Sequence, residues 1–209
     1  MARKQKPNQP KFKRPDLSAA CLDAALDMAA KSGWNSVSIE KIARRLKKSL
    51  PAVKAAFPDK TSLVTGLLKK IDAETGRRYR QTQVSGRGNE RDRLFDILMT
   101  RVDIVQSNRA GFVSIFGSYR KNLPDAFALV QPMHQSMSSV IALADVEKTV
   151  ATHARPSLQS WVLLGVYVSV MAVWAEDETR DLSKTMAALD KRLELFEKAT
   201  GYMSCGSVL

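Results

Sequence analysis

The sequence predicts an all-α chain of about nine helices, a three-helix head joined to a helical-bundle body, and two observations carry that expectation. Apolar residues recur at three- and four-residue spacings from Asp16 to Ala199, and no segment shows the two-residue alternation of a strand. Every proline after Pro15 falls near an expected helix end, so prolines read as punctuation. With 209 residues, 44% of them apolar, the chain is long enough to bury a proper core.

Residues 1–15 form a basic arm of Lys, Gln and Pro with too few apolar groups to pack, and disorder is expected there until a partner is met. A head follows over 16–60, a body over 61–200 and a flexible tail over 201–209. The first helix spans Asp16 to Ser32, with Leu22, Ala25, Leu26, Ala29 and Ala30 inward and Gly33 beyond its end. The second starts at the capping hydroxyl of Ser38 and turns Ile39, Ile42, Ala43 and Leu46 inward. The third follows Ser49, carries Pro51 in its first turn and stops by Phe57 and Pro58. Asp59 then caps a long fourth helix, whose inner side bears Leu63, Leu67, Leu68 and Ile71.

The run SGRGN at 85–89 is a turn or linker. Five more helices are expected over Glu90–Asn108, Gly111–Tyr119, Pro124–Ala144, Pro156–Glu176 and Leu182–Ala199.

Charge is unevenly spread. Residues 1–60 hold 14 Lys and Arg against 5 Asp and Glu, and therefore carry +9 of the total +12. A polyanion is the natural partner of such a field, because each neutralised phosphate releases counterions. Nucleic acid is favoured, with an anionic membrane surface as the alternative.

Other classes find little support. Cys21 and Cys205 make neither a disulfide framework nor a metal-ligand spacing, which fits a reducing cytoplasm. The N-terminus has charge and proline but no apolar core of a signal peptide. The longest apolar run, Trp161–Ala175, is broken by Gly165 and Ser169 and falls short of the roughly 20 residues of a membrane span. His134 and His153 are the only histidines, and no metalloprotease, nucleophile-elbow, phosphate-loop or dinucleotide motif occurs. No catalytic residue, metal site or cofactor is expected. The acidic cluster Glu176, Asp177, Glu178 and Asp181 reads as the turn before the last helix, with Asp181 as its cap.

The sequence from Ala25, Ala29, Gly33 and Trp34 through SIEKIARRL and a short turn to AFPDKTSL resembles the N-terminal domain of the TetR family of transcriptional regulators. Phe57, Asp59, Lys60 and Leu63 match the family's junction between its third and fourth helices, the most specific part of a likeness that covers residues 16–70. The resemblance implies a dimeric, all-helical, cytoplasmic DNA-binding repressor whose body holds a small-molecule inducer. The third helix would lie in the major groove of a palindromic double-stranded operator, with Lys48, Ser49, Pro51, Ala52 and Lys54 facing it. Lys60 falls at the family's phosphate-contacting lysine, Lys47 stands in the turn, and Arg44 and Arg45 reach the backbone. Ser38, at the start of the second helix, completes the DNA-binding set. This chain departs from the pattern in having Lys47 where the family usually has Gly and Lys54 where it usually has an aromatic.

In the body, Phe112, Phe116, Tyr119, Met133, Met137, Trp161, Tyr167 and Met171 suggest an apolar pocket for a hydrophobic or amphipathic effector. Tyr119, Gln135 or His134 would supply a polar contact. Leu182, Met186, Leu189, Leu193 and Phe196 form a narrow seam of the coiled-coil kind. Gly165, Ser169 and Ala172 would let another helix approach closely, and the family's dimer is a four-helix bundle of this sort.

Two alternatives stand beside this expectation. The segment Val173–Leu193, with Trp174, Asp177, Thr179, Thr185, Met186, Leu189, Asp190 and Arg192, is similar to the C-terminal helix pair of the COQ9 family, which shares the fold but binds lipid and a partner enzyme. That family's membrane helix would follow, whereas only about ten polar or small residues come after Ala199. The other alternative is a basic DNA-binding protein without sequence preference or inducer.

Overall fold

Helix boundaries follow from local capping. Asp16 Oδ1 accepts the Ser18 N–H at 3.2 Å and opens α1, Leu17–Ser32. Gly33 closes it at φ 79°, a conformation that disfavours a side chain, and leads into a 3-10 turn, Trp34–Ser36. The Ser38 hydroxyl accepts the Lys41 N–H at 3.2 Å and starts α2, Ile39–Leu46. α3 is Leu50–Ala56, with Pro51 where the missing N–H has no helical partner to lose. α4, Lys60–Thr82, opens on a reciprocal pair in which Asp59 Oδ1 accepts the Ser62 N–H at 2.7 Å and Ser62 Oγ accepts the Asp59 N–H at 3.2 Å.

The body continues with α5, Glu90–Gln106, started by a capping box between Asn89 and Asp92. Then come α6, Arg109–Lys121, α7, Leu123–Leu143, α8, Pro156–Glu176, and α9, Ser183–Cys205. This computed structural model describes residues 16–82, 89–144 and 156–205, the side chains of 156, 157 and 199–205 excepted. The basic arm, most of the SGRGN turn, His153 and residues 206–209 lie outside the described residues. No strand occurs among those described.

Two apolar cores result. The head core gathers Ala25, Trp34, Ile42, Val53, Phe57 and Leu63, and it also takes Ile115 from α6 and Leu129 from α7. The body core gathers Leu94, Ile97, Leu98, Met137, Leu163, Trp174, Leu189 and Leu193. Head and body are thus cemented by α4 and α6 together. At their crossing, a Cβ on Gly111 would lie 2.8 Å from the Leu26 carbonyl oxygen, so this position admits only glycine without displacing α1 or α6.

Several expectations need correction. Ala30 faces solvent. Pro132 sits inside α7 rather than at a helix end, and it leaves the Ala128 carbonyl without its helical donor. α9 runs on to Cys205. Leu182, Leu189, Leu193 and Phe196 are buried within the subunit, because the seam of α9 packs on α5 and α8 of its own chain. Only Met186 of that seam keeps partial exposure.

The turn between α8 and α9 is organised by a buried carboxylate. Asp177, 2% exposed, accepts hydrogen bonds from the backbone N–H and hydroxyl of both Thr179 and Thr185 at 2.5–3.0 Å. Asp181 Oδ1 accepts the Ser183 N–H at 3.2 Å and caps α9 more weakly. The residues that carry the likeness to the COQ9 family are in large part this turn and its packing.

α8 is long and apolar enough over Leu158–Glu176 to cross a membrane by length and composition, contrary to its expected shortfall. Leu163, Tyr167, Val170, Met171 and Trp174 of this helix are core residues of the body.

Candidate DNA-facing surface and apolar cavity

The exposed edge of the head is built by the end of α2, the following turn and α3. Val53 anchors α3 from below at 0% exposure, which turns Pro51, Ala52 and Lys54 outward. Arg44, Arg45, Lys47, Lys48 and Ser49 are exposed beside them. Lys47 adopts the left-handed conformation, φ 52° and ψ 43°, so that its N–H and that of Lys48 can bond the last carbonyls of α2.

The cations are not equivalent. Arg45 is paired with Asp27 of α1, and Lys54 lies 3.5 Å from Glu40 of α2. Among the described residues, Arg44, Lys47 and Lys48 have no side-chain partner, and they form the uncommitted positive patch. Ser38 is spent on capping α2. Lys60 points into the head: its ammonium donates to the Trp34 carbonyl at 2.8 Å and stands 4.9 Å from the indole centroid. Burial pushes its pKa below the ordinary lysine value, against an opposing pull from Asp125.

Behind the head, α4, α6, α7 and α8, with Val105 of α5, line a partly open cavity of about 430 Å³. Of the expected pocket residues, Phe112, Phe116, Tyr119, Met133, Tyr167 and Met171 line it. Met137 and Trp161 do not. Met137 is 1% exposed inside the body core, one turn beyond Met133 on α7. Trp161 is 41% exposed and stacks on His134 with ring centroids 4.1 Å apart. His134 in turn shares a 2.7 Å hydrogen bond with Ser160, so neither it nor the exposed Gln135 serves the cavity.

Lining groups that the sequence pattern missed include Val64, Ile71, Ile115, Leu123 and Leu129, together with Arg120. Their signal was ordinary helical periodicity, which marks a buried face without saying whether protein or void lies opposite. A second cavity of about 500 Å³ shares Leu67, Ile71 and Phe112 as a wall. On its rim, Lys70 pairs with Asp23 at 2.6 Å, while Arg77 and Arg78 both bond Glu74.

Cavity and head are joined through α6. One face of this helix lines the cavity with Phe112, Phe116 and Tyr119; the other clamps the turn after α1. Ser114 Oγ accepts the Trp34 N–H at 2.8 Å, and the Ser118 hydroxyl donates to Asn35 Oδ1 at 2.7 Å. Burial raises the pKa of the Tyr119 phenol, with hydrogen bonding to Trp34 and Thr61 opposing it.

Beneath the cavity, Arg101 of α5 is 0% exposed and forms an ion pair with Asp72 of α4. Its other terminal nitrogen donates to Ser136 Oγ at 2.9 Å, and Ser136 donates to Asp72 at 2.7 Å. The guanidinium carbon lies 5.1 Å from the Tyr167 ring centroid, while its Nε is buried without a partner.

α8 presents an outward apolar stripe. Leu158, Trp161 and Val168 are 38–41% exposed, Gly165 is exposed between them, and Ser169 and Ala172 are half-buried alongside.

No family model and no curated protein matches the chain. Solved structures do. A TetR transcriptional regulator from Nitrosomonas europaea ATCC 19718 is 18% identical, with 86% of this chain and 97% of that chain covered and a TM-score of 0.67. One from Rhodococcus sp. RHA1 is 17% identical over 86% and 94%, with a TM-score of 0.58. A TetR-family regulator from Streptomyces coelicolor is 20% identical over 94% and 85%, with a TM-score of 0.57. The head, the linking α4 and the helical body of this chain together have the fold of the TetR-family transcriptional regulators.

Proposed function

We propose that this protein is a ligand-responsive DNA-binding transcriptional regulator, a homodimeric repressor that releases a palindromic operator when a hydrophobic or amphipathic molecule fills the cavity. The observation that carries this is the pairing of an uncommitted cationic patch, Arg44, Lys47 and Lys48, with an apolar cavity whose wall helix α6 also grips the head. α3, held by Val53, is the element for the major groove, and the patch neutralises phosphates beside it.

Dimerisation belongs to the outward stripe of α8, with Gly165, Ser169 and Ala172 at its centre, rather than to the leucines of α9. A filled cavity shifts α6 against Trp34 and changes the separation of the two heads, moving the population away from the spacing of successive major grooves. The setting is cytoplasmic and the role non-enzymatic.

The test is fluorescence anisotropy of the full chain against a duplex from upstream of its own gene and a scrambled duplex, over a salt series. A preference of about a hundredfold at physiological salt, roughly 3 kcal/mol, supports a specific regulator. Equal salt-sensitive binding to both supports the basic binder without sequence preference. Absence of binding at low salt, together with co-purified lipid, would sink the regulator and favour a lipid-binding accessory role.

A further inference from the structure

The cavity behind the head is lined by apolar and aromatic side chains, and among the described residues that line it the only charged one is Arg120. This residue stands near the C-terminus of α6, beside the start of α7, where Leu123 lines the cavity while remaining 77% exposed. Among the other lining residues Val105, Tyr167 and Met171 are buried. The space therefore combines a buried apolar wall with a solvent-open side on which one guanidinium, Leu123 and Val168 are exposed.

Arg120 is weakly engaged. Its nearest carboxylate oxygen, on Glu176, is 3.8 Å away, beyond hydrogen-bond range, with the two side chains 57% and 79% exposed. Its guanidinium also lies 5.8 Å from the Phe116 ring centroid, on the cavity wall. Five N–H donors in a planar fork are thus available to an incoming carboxylate, which the guanidinium binds with two parallel hydrogen bonds. A cationic head group would find no counter-charge in the wall, since no Asp or Glu is among the described residues that line the cavity, and Glu176 stands outside that lining.

Resting on the ligand-responsive reading above, we infer that the effector is an amphipathic monoanion of the fatty-acid type. Its carboxylate is held by Arg120 at the mouth, and its alkyl chain runs past Leu123 and Phe116 toward Tyr167 and Met171. Size sets the chain length. Allowing each methylene about the 30 Å³ of a liquid water, a volume of about 430 Å³ holds on the order of 14 of them. The proximal methylenes cover the exposed Leu123.

Displacement of the uncharged fluorophore N-phenyl-1-naphthylamine by dodecanoate, dodecanol and dodecylamine tests this on the full chain and on the variants Arg120→Gln and Glu176→Gln. Dodecanoate is expected to bind at least tenfold more tightly than dodecanol. Arg120→Gln should erase that advantage while leaving dodecanol unchanged, and Glu176→Gln, which removes the competing carboxylate, should tighten dodecanoate at least twofold. Equal binding of acid and alcohol, or tightest binding of the amine, overturns the anionic assignment and leaves the cavity as an effector site. Failure of the fluorophore and all three chains to bind removes the effector site itself.

Discussion

The ammonium of Lys60 donates to the Trp34 carbonyl at 2.8 Å and lies 4.9 Å from the centroid of the same residue's ring. The first residue of α4 thereby ties the long helix to the turn after α1. A lysine so engaged contributes little to phosphate neutralisation. Lys60→Gln is expected to leave the slope of log affinity against log salt unchanged, whereas Lys48→Gln lowers its magnitude by about 0.9. Equal loss of slope in both variants would return Lys60 to the phosphate-binding set.

Lys47 holds the left-handed conformation at φ 52° where glycine carries no steric cost. Lys47→Gly is expected to stabilise the protein by about 0.5–1 kcal/mol in urea denaturation. The same change should weaken DNA binding, because one cation leaves the patch. An unchanged or lowered urea midpoint would show that the lysine is not strained there.

Arg101 is buried against Asp72, and its guanidinium has no route to water. Removing the carboxylate alone leaves an uncompensated charge, so Asp72→Asn should cost about 3–5 kcal/mol. The double variant Asp72→Leu with Arg101→Met should recover most of that loss, since no charge then remains buried. Additive losses in a double-mutant cycle would argue that the pair is not coupled.

Burial pushes the Asp177 carboxyl up, but the four hydrogen bonds it accepts together outweigh that and hold it well below the ordinary value of 3.8. A depressed folded-state pKa means that the unfolded chain binds the proton first. The stabilisation is therefore complete above about pH 4 and lost as pH falls below it. Asp177→Asn should cost about 2 kcal/mol at neutral pH. In thermal melts the gap from wild type should narrow toward pH 2; a gap independent of pH would rule out ionisation as its source.

A Cβ on Gly165 would meet nothing within 4 Å, so the subunit itself tolerates a side chain there. Gly165→Arg is expected to leave helicity and melting of the isolated subunit intact. It should reduce the mass measured by light scattering from a dimer to a monomer and weaken operator binding. Persistence of the dimer would place the interface elsewhere.

Most of the helical layout was legible from residues alone. Ser38, Asp59 and Gly33 act on their immediate neighbours, so their roles as caps follow from local chemistry. The Phe57–Leu63 junction was legible through its resemblance to the family's pattern. Pro132 was misjudged because a packed helix tolerates one missing hydrogen bond, a cost that neighbouring contacts offset. The cavity was legible in Phe112, Phe116, Tyr119 and Tyr167 but not in its partition: Trp161 faces outward, and of Met133 and Met137, on one helix face, only the first meets open space.

By itself the sequence determined that the chain is all helical, where most helices begin and end, and that its positive charge concentrates in the head. These properties depend on contacts within a few residues or on composition. Only the tertiary structure decided which charges are free, which side of α8 faces outward and which leucines of α9 belong to the subunit's own core. Periodicity shows that a face is covered; what covers it depends on residues distant in the chain. Lys60 and Arg44 look alike as letters, and packing against Trp34 makes one of them a strut and leaves the other open to a partner.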